Sequence, residues 1–204
     1  MRSTALDEIL QRLHQVEQEL EQELDRLLEQ KREQFKYQLR RGRVVFERGI
    51  RRWQKQYKTG SWAYLVRAPL LVILSAPLIY GMLIPLLLLD LSITLYQHIC
   101  FRIYRIPLVR RKDYLVIDRH HLAYLNLIER LNCVYCGYAN GLIEYAREIV
   151  ARTEQFWCPV KHARRTLDGH YRIQRFLDYG DAEAYSRNRQ TVRRDWSDLT
   201  AAGE

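Results

Sequence analysis

Apolar residues near the start of the chain recur at alternating steps of three and four: Leu6, Ile9, Leu13, Val16 and Leu20, then Leu24 and Leu27 after a further four-residue step. That spacing predicts a helix with a single apolar seam, as in a coiled coil, and the consecutive four-residue steps around Leu20 act as a stutter that locally unwinds the supercoil. Such a seam either joins copies of the chain or packs on the chain's own remainder, and we read residues 1–34 as a homo-oligomerising coiled coil. The stripe continues through Phe35, Leu39, Phe46, Ile50, Trp53 and Tyr57, which predicts an amphipathic helix over residues 35–60. Gly42 and Gly49 weaken that helix and allow a kink.

Residues 68–89 read APLLVILSAPLIYGMLIPLLLL, with no charge. As one helix they would extend ~33 Å, enough for a hydrocarbon core of ~30 Å. The next stretch, DLSITLYQHICF, stays largely apolar, and up to Phe101 its Asp, Glu, Lys, Arg and His residues are Asp90 and His98 alone. The whole run is too long for one upright span and short for two. A single span ending at Leu89 competes with a transmembrane hairpin over 62–101, bent near Pro77, Gly81 and Pro85. Basic residues on both flanks favour the hairpin, because the positive-inside tendency keeps both flanks in the cytoplasm. Asp90 then lies deep, at about 2.5–3.5 kcal/mol unless protonated or paired, with Arg67 or His98 as the expected partner.

Beyond the apolar run, RHHLAYLNLIERL and NGLIEYAREIVARTEQFW predict two helices, with Asn140 capping the second and Pro159 stopping it. DYLVID has a short strand-like core. DAEAYSRNRQTVRR predicts a further helix after the turn signal YGD, and SDLTAAGE a frayed tail over 197–204. The expected architecture is an all-α membrane protein: a coiled coil, a membrane hairpin and a small cytoplasmic helical domain over 102–196.

Charge sharpens the first part of this picture. Residues 1–30 carry a net charge of −5 and residues 31–58 a net of +9. A basic, aromatic segment immediately before an apolar run suits anionic lipid headgroups better than nucleic acid. The surface set is Arg40, Arg41, Arg43, Arg48, Arg51, Arg52, Trp53 and Lys55. The N-terminal sequence lacks the pattern of a secretory signal, so the four cysteines do not read as a secreted disulfide framework. The expected location is a bacterial cytoplasmic membrane with both termini in the cytoplasm.

Chemistry concentrates in LNCVYCGYANG and WCPVKHA. Two cysteines two residues apart, followed by glycine, suit a metal knuckle whose turn points both thiolates inward. Cys133, Cys136, Cys158 and His162 would then form a Cys3His set for zinc, or for iron. A straight helix over 141–157 would carry Cys158 ~25 Å away, so the site closes in one chain only if that helix stops early, or else across two subunits. The alternatives are a redox-active Cys133/Cys136 pair and thiols without chemistry. His120 and His121, adjacent in sequence, would point about 100° apart on a helix and do not suit one site. P-loop, GxSxG and HExxH motifs are absent.

CVYCGY resembles the knuckles of rubredoxins and zinc ribbons over six residues, which implies zinc or iron held by thiolates. The longer stretch from IDRHHLAYLNLIERL through WCPVKHARR resembles a segment of bacterial integral membrane proteins of uncharacterised activity. That resemblance implies a bacterial setting and no reaction. The functional expectation is a membrane-anchored, oligomerising interaction protein with a metal-stabilised domain and an unidentified protein partner. A membrane redox protein using Cys133 and Cys136 is the alternative.

Overall fold

The computed structural model describes residues 2–40, 43–164, 167 and 169–201. The chain forms two compact units, residues 1–61 with 121–127, and residues 62–120 with 128–204.

In the first unit, α1 (Arg2–Phe35) is one continuous helix, about 51 Å long at the α-helical rise. Ile9, Leu13, Val16, Leu20, Leu24 and Leu27 are all exposed along it. Packing of the seam on the chain's own remainder is therefore not what the fold uses for these side chains. The predicted helix over 35–60 is corrected: β1 (Tyr37–Arg40) pairs antiparallel with β2 (Arg43–Phe46) in register Tyr37↔Phe46 to Arg40↔Arg43. The physical reason is local. Adjacent β-branched Val44 and Val45 with Tyr37 and Phe46 favour a pleated ribbon, and the cross-strand rings of Tyr37 and Phe46 meet at 5.7 Å. Only the end of the stretch is helical, as α2 (Arg48–Gln56). Its inner face buries Gln54, whose Oε1 accepts the backbone N–H of Ala123 at 3.2 Å.

In the second unit, α3 (Ser61–Arg67) leads through Pro69 into α4 (Leu70–Gly81) and α5 (Leu83–Tyr96). A π-helical turn, Gln97–Phe101, and the short α6 (Arg102–Tyr104) follow. The expected hairpin is replaced by one run. Met82 keeps right-handed helical angles (φ −62°, ψ −14°) and its N–H bonds back to the Ile79 carbonyl at 3.2 Å, so Leu70–Tyr104 is a single 35-residue helix long and apolar enough to cross a membrane. Prolines alone do not reverse a helix: Pro77 and Pro85 each remove one backbone hydrogen bond from the run.

The reversal comes later, at Arg105, in left-handed conformation (φ 58°). Residues 106–126 then run back as a connector without regular strand, DYLVID included, to α7 (Leu127–Trp157). Two predicted helices are thus one. Asn140 is interior, its Nδ2 donating to the carbonyl of Cys136 at 2.9 Å. Gly141 explains the break signal differently: a Cβ there would stand 2.7 Å from the carbonyl oxygen of Tyr114 and 2.9 Å from the Cα of Leu115. The glycine serves the close approach of the connector, not a turn.

Long side chains tie α7 to the apolar helix along its length. Tyr80 donates to Asn132 at 2.5 Å, Tyr135 to the carbonyl of Ile79 at 3.0 Å, and Tyr138 to Asp90 at 2.8 Å. Further on, Gln97 bonds Tyr145, Tyr96 bonds Thr153 at 3.0 Å, and Tyr104 stacks on Phe156 at 5.1 Å. Partner numbers rise together, so the two helices run parallel. Phe101, Ile106, Val109, Leu142, Tyr145 and Ile149 form the apolar core between helix, connector and α7.

After Pro159 ends α7, residues 159–161 pair with Leu177 through Lys161 N–H to Leu177 (2.8 Å) and Leu177 N–H to Pro159 (2.8 Å). Then α8 (Ala182–Arg193) is capped by Asp181, which accepts from the N–H of Ala184 at 2.7 Å. The tail expected to fray is helical over α9 (Ser197–Ala201). Asp195 caps it, accepting from the Ser197 N–H (3.2 Å) and hydroxyl (2.6 Å). The Ser197 hydroxyl foremost, against the effect of burial, holds the Asp195 carboxyl below the usual range. A depressed folded-state value contributes stability above the unfolded value and loses it as pH falls through the folded one. Asp195→Asn should therefore lower the melting temperature at pH 7, with the difference from wild type shrinking below about pH 4. An equal difference at pH 3 in thermal circular dichroism would refute this.

Candidate functional site

The sequence-predicted metal set does not assemble within the chain. Cys133 and Cys136 lie inside α7, three residues apart on one face, and Cys158 follows its last residue. The helix therefore separates Cys136 from Cys158 by about 33 Å. Gly137 shapes no knuckle either, because it is helical and buried against Val116 and Ile117 of the connector. Among the described residues, no group of three or more His, Cys, Asp or Glu side chains could hold a metal ion. A redox pair ordinarily draws on an adjacent helix N-terminus; here Leu127, where α7 begins, is about 9 Å before Cys133.

Around His162 a different constellation does form. Glu154, in the last turn of α7, meets His170 through Oε2 at 2.8 Å and His162 through Oε1 at 3.8 Å. Cys158 stands one helical turn after Glu154, its N–H bonded to the Glu154 carbonyl at 2.7 Å. His170 rests on the ring of Phe176 at 5.6 Å. Its Nδ1 is buried with no hydrogen-bond partner among the described residues, which leaves Nε2 as the nitrogen facing the carboxylate. The sequence signal for this group was an acid, a thiol and an imidazole at four-residue steps: Glu154, Cys158, His162.

Asp90 is 9% exposed in the middle of the apolar helix. Neither expected partner holds it: His98 bonds the carbonyl of Thr94 instead. Arg111 of the connector grips both carboxylate oxygens, the second at 2.6 Å, while Tyr138 (2.8 Å) and Thr94 (3.3 Å) donate as well. Four donated hydrogen bonds from three side chains satisfy this carboxylate, so it is a structural clamp between helix, connector and α7.

A second polar knot lies below the core. Glu148 accepts from Arg152 at 2.7 Å and from Arg172 at 2.8 and 3.1 Å. Arg172, fully buried, also bonds Gln155 (3.1 Å) and Asp198 (3.0 Å) and lies over the rings of Tyr171 and Trp196. Burial first, then the neighbouring Glu148, pushes the Tyr171 phenol upward, so it stays a proton donor. Beside the knot opens a cleft of about 540 Å³ lined by Arg110, Asp113, Tyr114, Arg152, Tyr171 and Asp198 among others. Its cations are already paired, Arg110 with Asp113 at 2.7 Å and Arg152 with Glu148.

The basic surface set is only partly regular. Arg51, Arg52, Trp53 and Lys55 are exposed on α2, where Trp53 and Tyr57 meet edge to face at 5.0 Å. Arg48 opens that helix, Arg40 and Arg43 are register partners in the ribbon, and Arg41 lies outside the described residues.

No family model, curated protein or solved structure matches the chain.

Proposed function

We propose that the protein is a non-enzymatic, membrane-associated interaction module that lies along the cytoplasmic face of a bacterial inner membrane. The observation that carries this reading is the Leu70–Tyr104 helix. Leu74, Leu78, Ile84, Leu88, Leu91 and Leu95 are exposed along it, while Asp90, Gln97 and Phe101 are covered by the connector and α7. Exposed Arg110, Lys112 and Asp113 sit on the connector bonded to α5. An upright crossing would draw them into hydrocarbon at about 2.5–3.5 kcal/mol for each charge. A helix lying in the membrane plane keeps them in water and sinks its exposed apolar side chains into the acyl boundary. It also leaves both flanks on one side, as their basic character requires. The exposed bases and Trp53 of α2 add anionic-lipid contacts, and the bare seam of α1 offers itself to a second copy.

Tags at the two termini, digested with protease in sealed inverted inner-membrane vesicles, test the arrangement. Both tags should be cleaved without detergent, and the chain should stay with the vesicles through a high-salt wash. Protection of one tag would overturn the in-plane reading in favour of a span, and release by salt would overturn membrane embedding altogether.

A further inference from the structure

We propose that α1 pairs with α1 of a second copy of this chain in antiparallel orientation, Ile9 of one helix facing Leu27 of the other, Leu13 facing Leu24 and Val16 facing Leu20. The proposal deepens the reading of this seam as a surface for a second copy and rests on it. All of these side chains are exposed on one continuous helix. From Ile9 to Leu27 they follow one another at steps of four, three, four, four and three. Reversed, that row superposes on itself to within one residue, so an antiparallel pair sets apolar against apolar throughout, each contact made twice by the two-fold symmetry. The seam is also too narrow for lipid, since a helix that sinks into a bilayer presents a broad apolar face and a basic polar one. Residues 1–30 instead carry a net charge of −5, which anionic headgroups repel.

Charge selects the orientation, as the residues flanking a coiled-coil seam generally do. In an antiparallel pair, residues that precede a seam position on one helix lie on the same side as residues that precede one on the other. Arg12, before Leu13, therefore flanks the same layer as Glu23, before Leu24, and both are exposed. In a parallel pair, residues that precede the seam lie beside residues that follow it, which brings Glu19 and Glu23 against Glu21 of the neighbour. The row's next position is Lys31, four residues after Leu27 and likewise exposed. Parallel pairing would set Lys31 against Lys31 in the seam; antiparallel pairing sets it level with positions 5 and 6. Glu29 would come level with the acids at positions 7 and 8, but it is already paired with Arg32 of its own helix at 2.7 Å. An acidic helix keeps some repulsion in either alignment, and the antiparallel one has less of it.

Disulfide mapping on the full-length chain in detergent tests it. With the four native cysteines replaced by serine, Leu13→Cys and Leu24→Cys chains are made separately, one with a longer tag so that mixed and like pairs differ in size. In the antiparallel register the two introduced thiols share a layer and suit a disulfide, whose Cα atoms stand about 4.4–6.8 Å apart. Two copies of Leu13→Cys hold theirs about 16 Å apart along the pair. Mild oxidation of the mixture should therefore give the mixed dimer, and oxidation of either chain alone should leave monomer. A dimer formed by Leu13→Cys alone would overturn the orientation while keeping the second copy. Absence of a disulfide in every combination would overturn this register, and sedimentation of the unmodified chain as a monomer would overturn the second copy with it. Circular dichroism checks the helix in each variant. If the serine background loses it, the same substitutions in the native background, with the joined peptides identified by mass spectrometry, give the same decision.

Discussion

Glu148→Ala should destabilise the second unit by about 3–5 kcal/mol, the range for removing one partner of a buried ion pair. Two guanidiniums share this carboxylate: Arg152 at 2.7 Å and Arg172 at 2.8 Å, both buried. Asp198 and Gln155 still hold Arg172, but Arg152 would keep, among the described residues, only the carbonyl of Pro107, at 2.8 Å. Against a whole-domain stability of about 5–15 kcal/mol this is a large share. Trp196, whose ring lies 5.5 Å from the Arg172 guanidinium, gives the local readout. With the other three tryptophans replaced by phenylalanine, its fluorescence in a urea titration should report unfolding at markedly lower denaturant in the variant. A loss under about 1 kcal/mol would mean that the knot is solvated and contributes as a surface pair does.

Gly141→Ala and Gly137→Ala should have opposite signs. In a helix interior, replacing glycine by alanine ordinarily stabilises by about 0.5–1 kcal/mol. At Gly137 the added Cβ meets Val116 O at 3.4 Å and Ile117 at 3.7 Å, ordinary contacts that leave this gain largely intact. At Gly141 the nearest atoms are backbone, at 2.7 and 2.9 Å, and the connector must shift to admit the methyl. A net loss of about 1–3 kcal/mol is expected there, as for overpacked cores. Thermal melts of the two variants decide it. A stabilised Gly141→Ala would show that the connector does not lie against α7 at that point.

These two glycines mark how far the sequence could be read. The apolar run, the long first helix, the Pro159 stop and the Asp181 cap depend on neighbours within a few residues, and each is visible in local pattern. In contrast, CGYANG looks like a knuckle and a helix start because its glycines answer to Tyr114–Ile117, some twenty residues earlier, which no local window contains. The ribbon at 37–46 was missed because its apolar spacing also fits a helix over the few residues involved. For the sites, His162 and Cys158 were singled out as ligands, whereas the neighbour His162 meets is Glu154, which also bonds His170. Asp90 was visible by its isolation. Its partner Arg111, twenty-one positions on, was one base among several.

Parallel pairing of the apolar helix with α7 also has a kinetic meaning. Their bonds join residues at nearly constant separation, 52 for Tyr80–Asn132, 48 for both Asp90–Tyr138 and Gln97–Tyr145, and 57 for Tyr96–Thr153. The first of these contacts to form bears the entropy of closing a fifty-residue loop, and those that follow enlarge no loop. Docking of α7 is then a single slow nucleation followed by rapid zipping in either direction, so substitutions along the seam should change the unfolding rate more than the folding rate, except at whichever contact forms first.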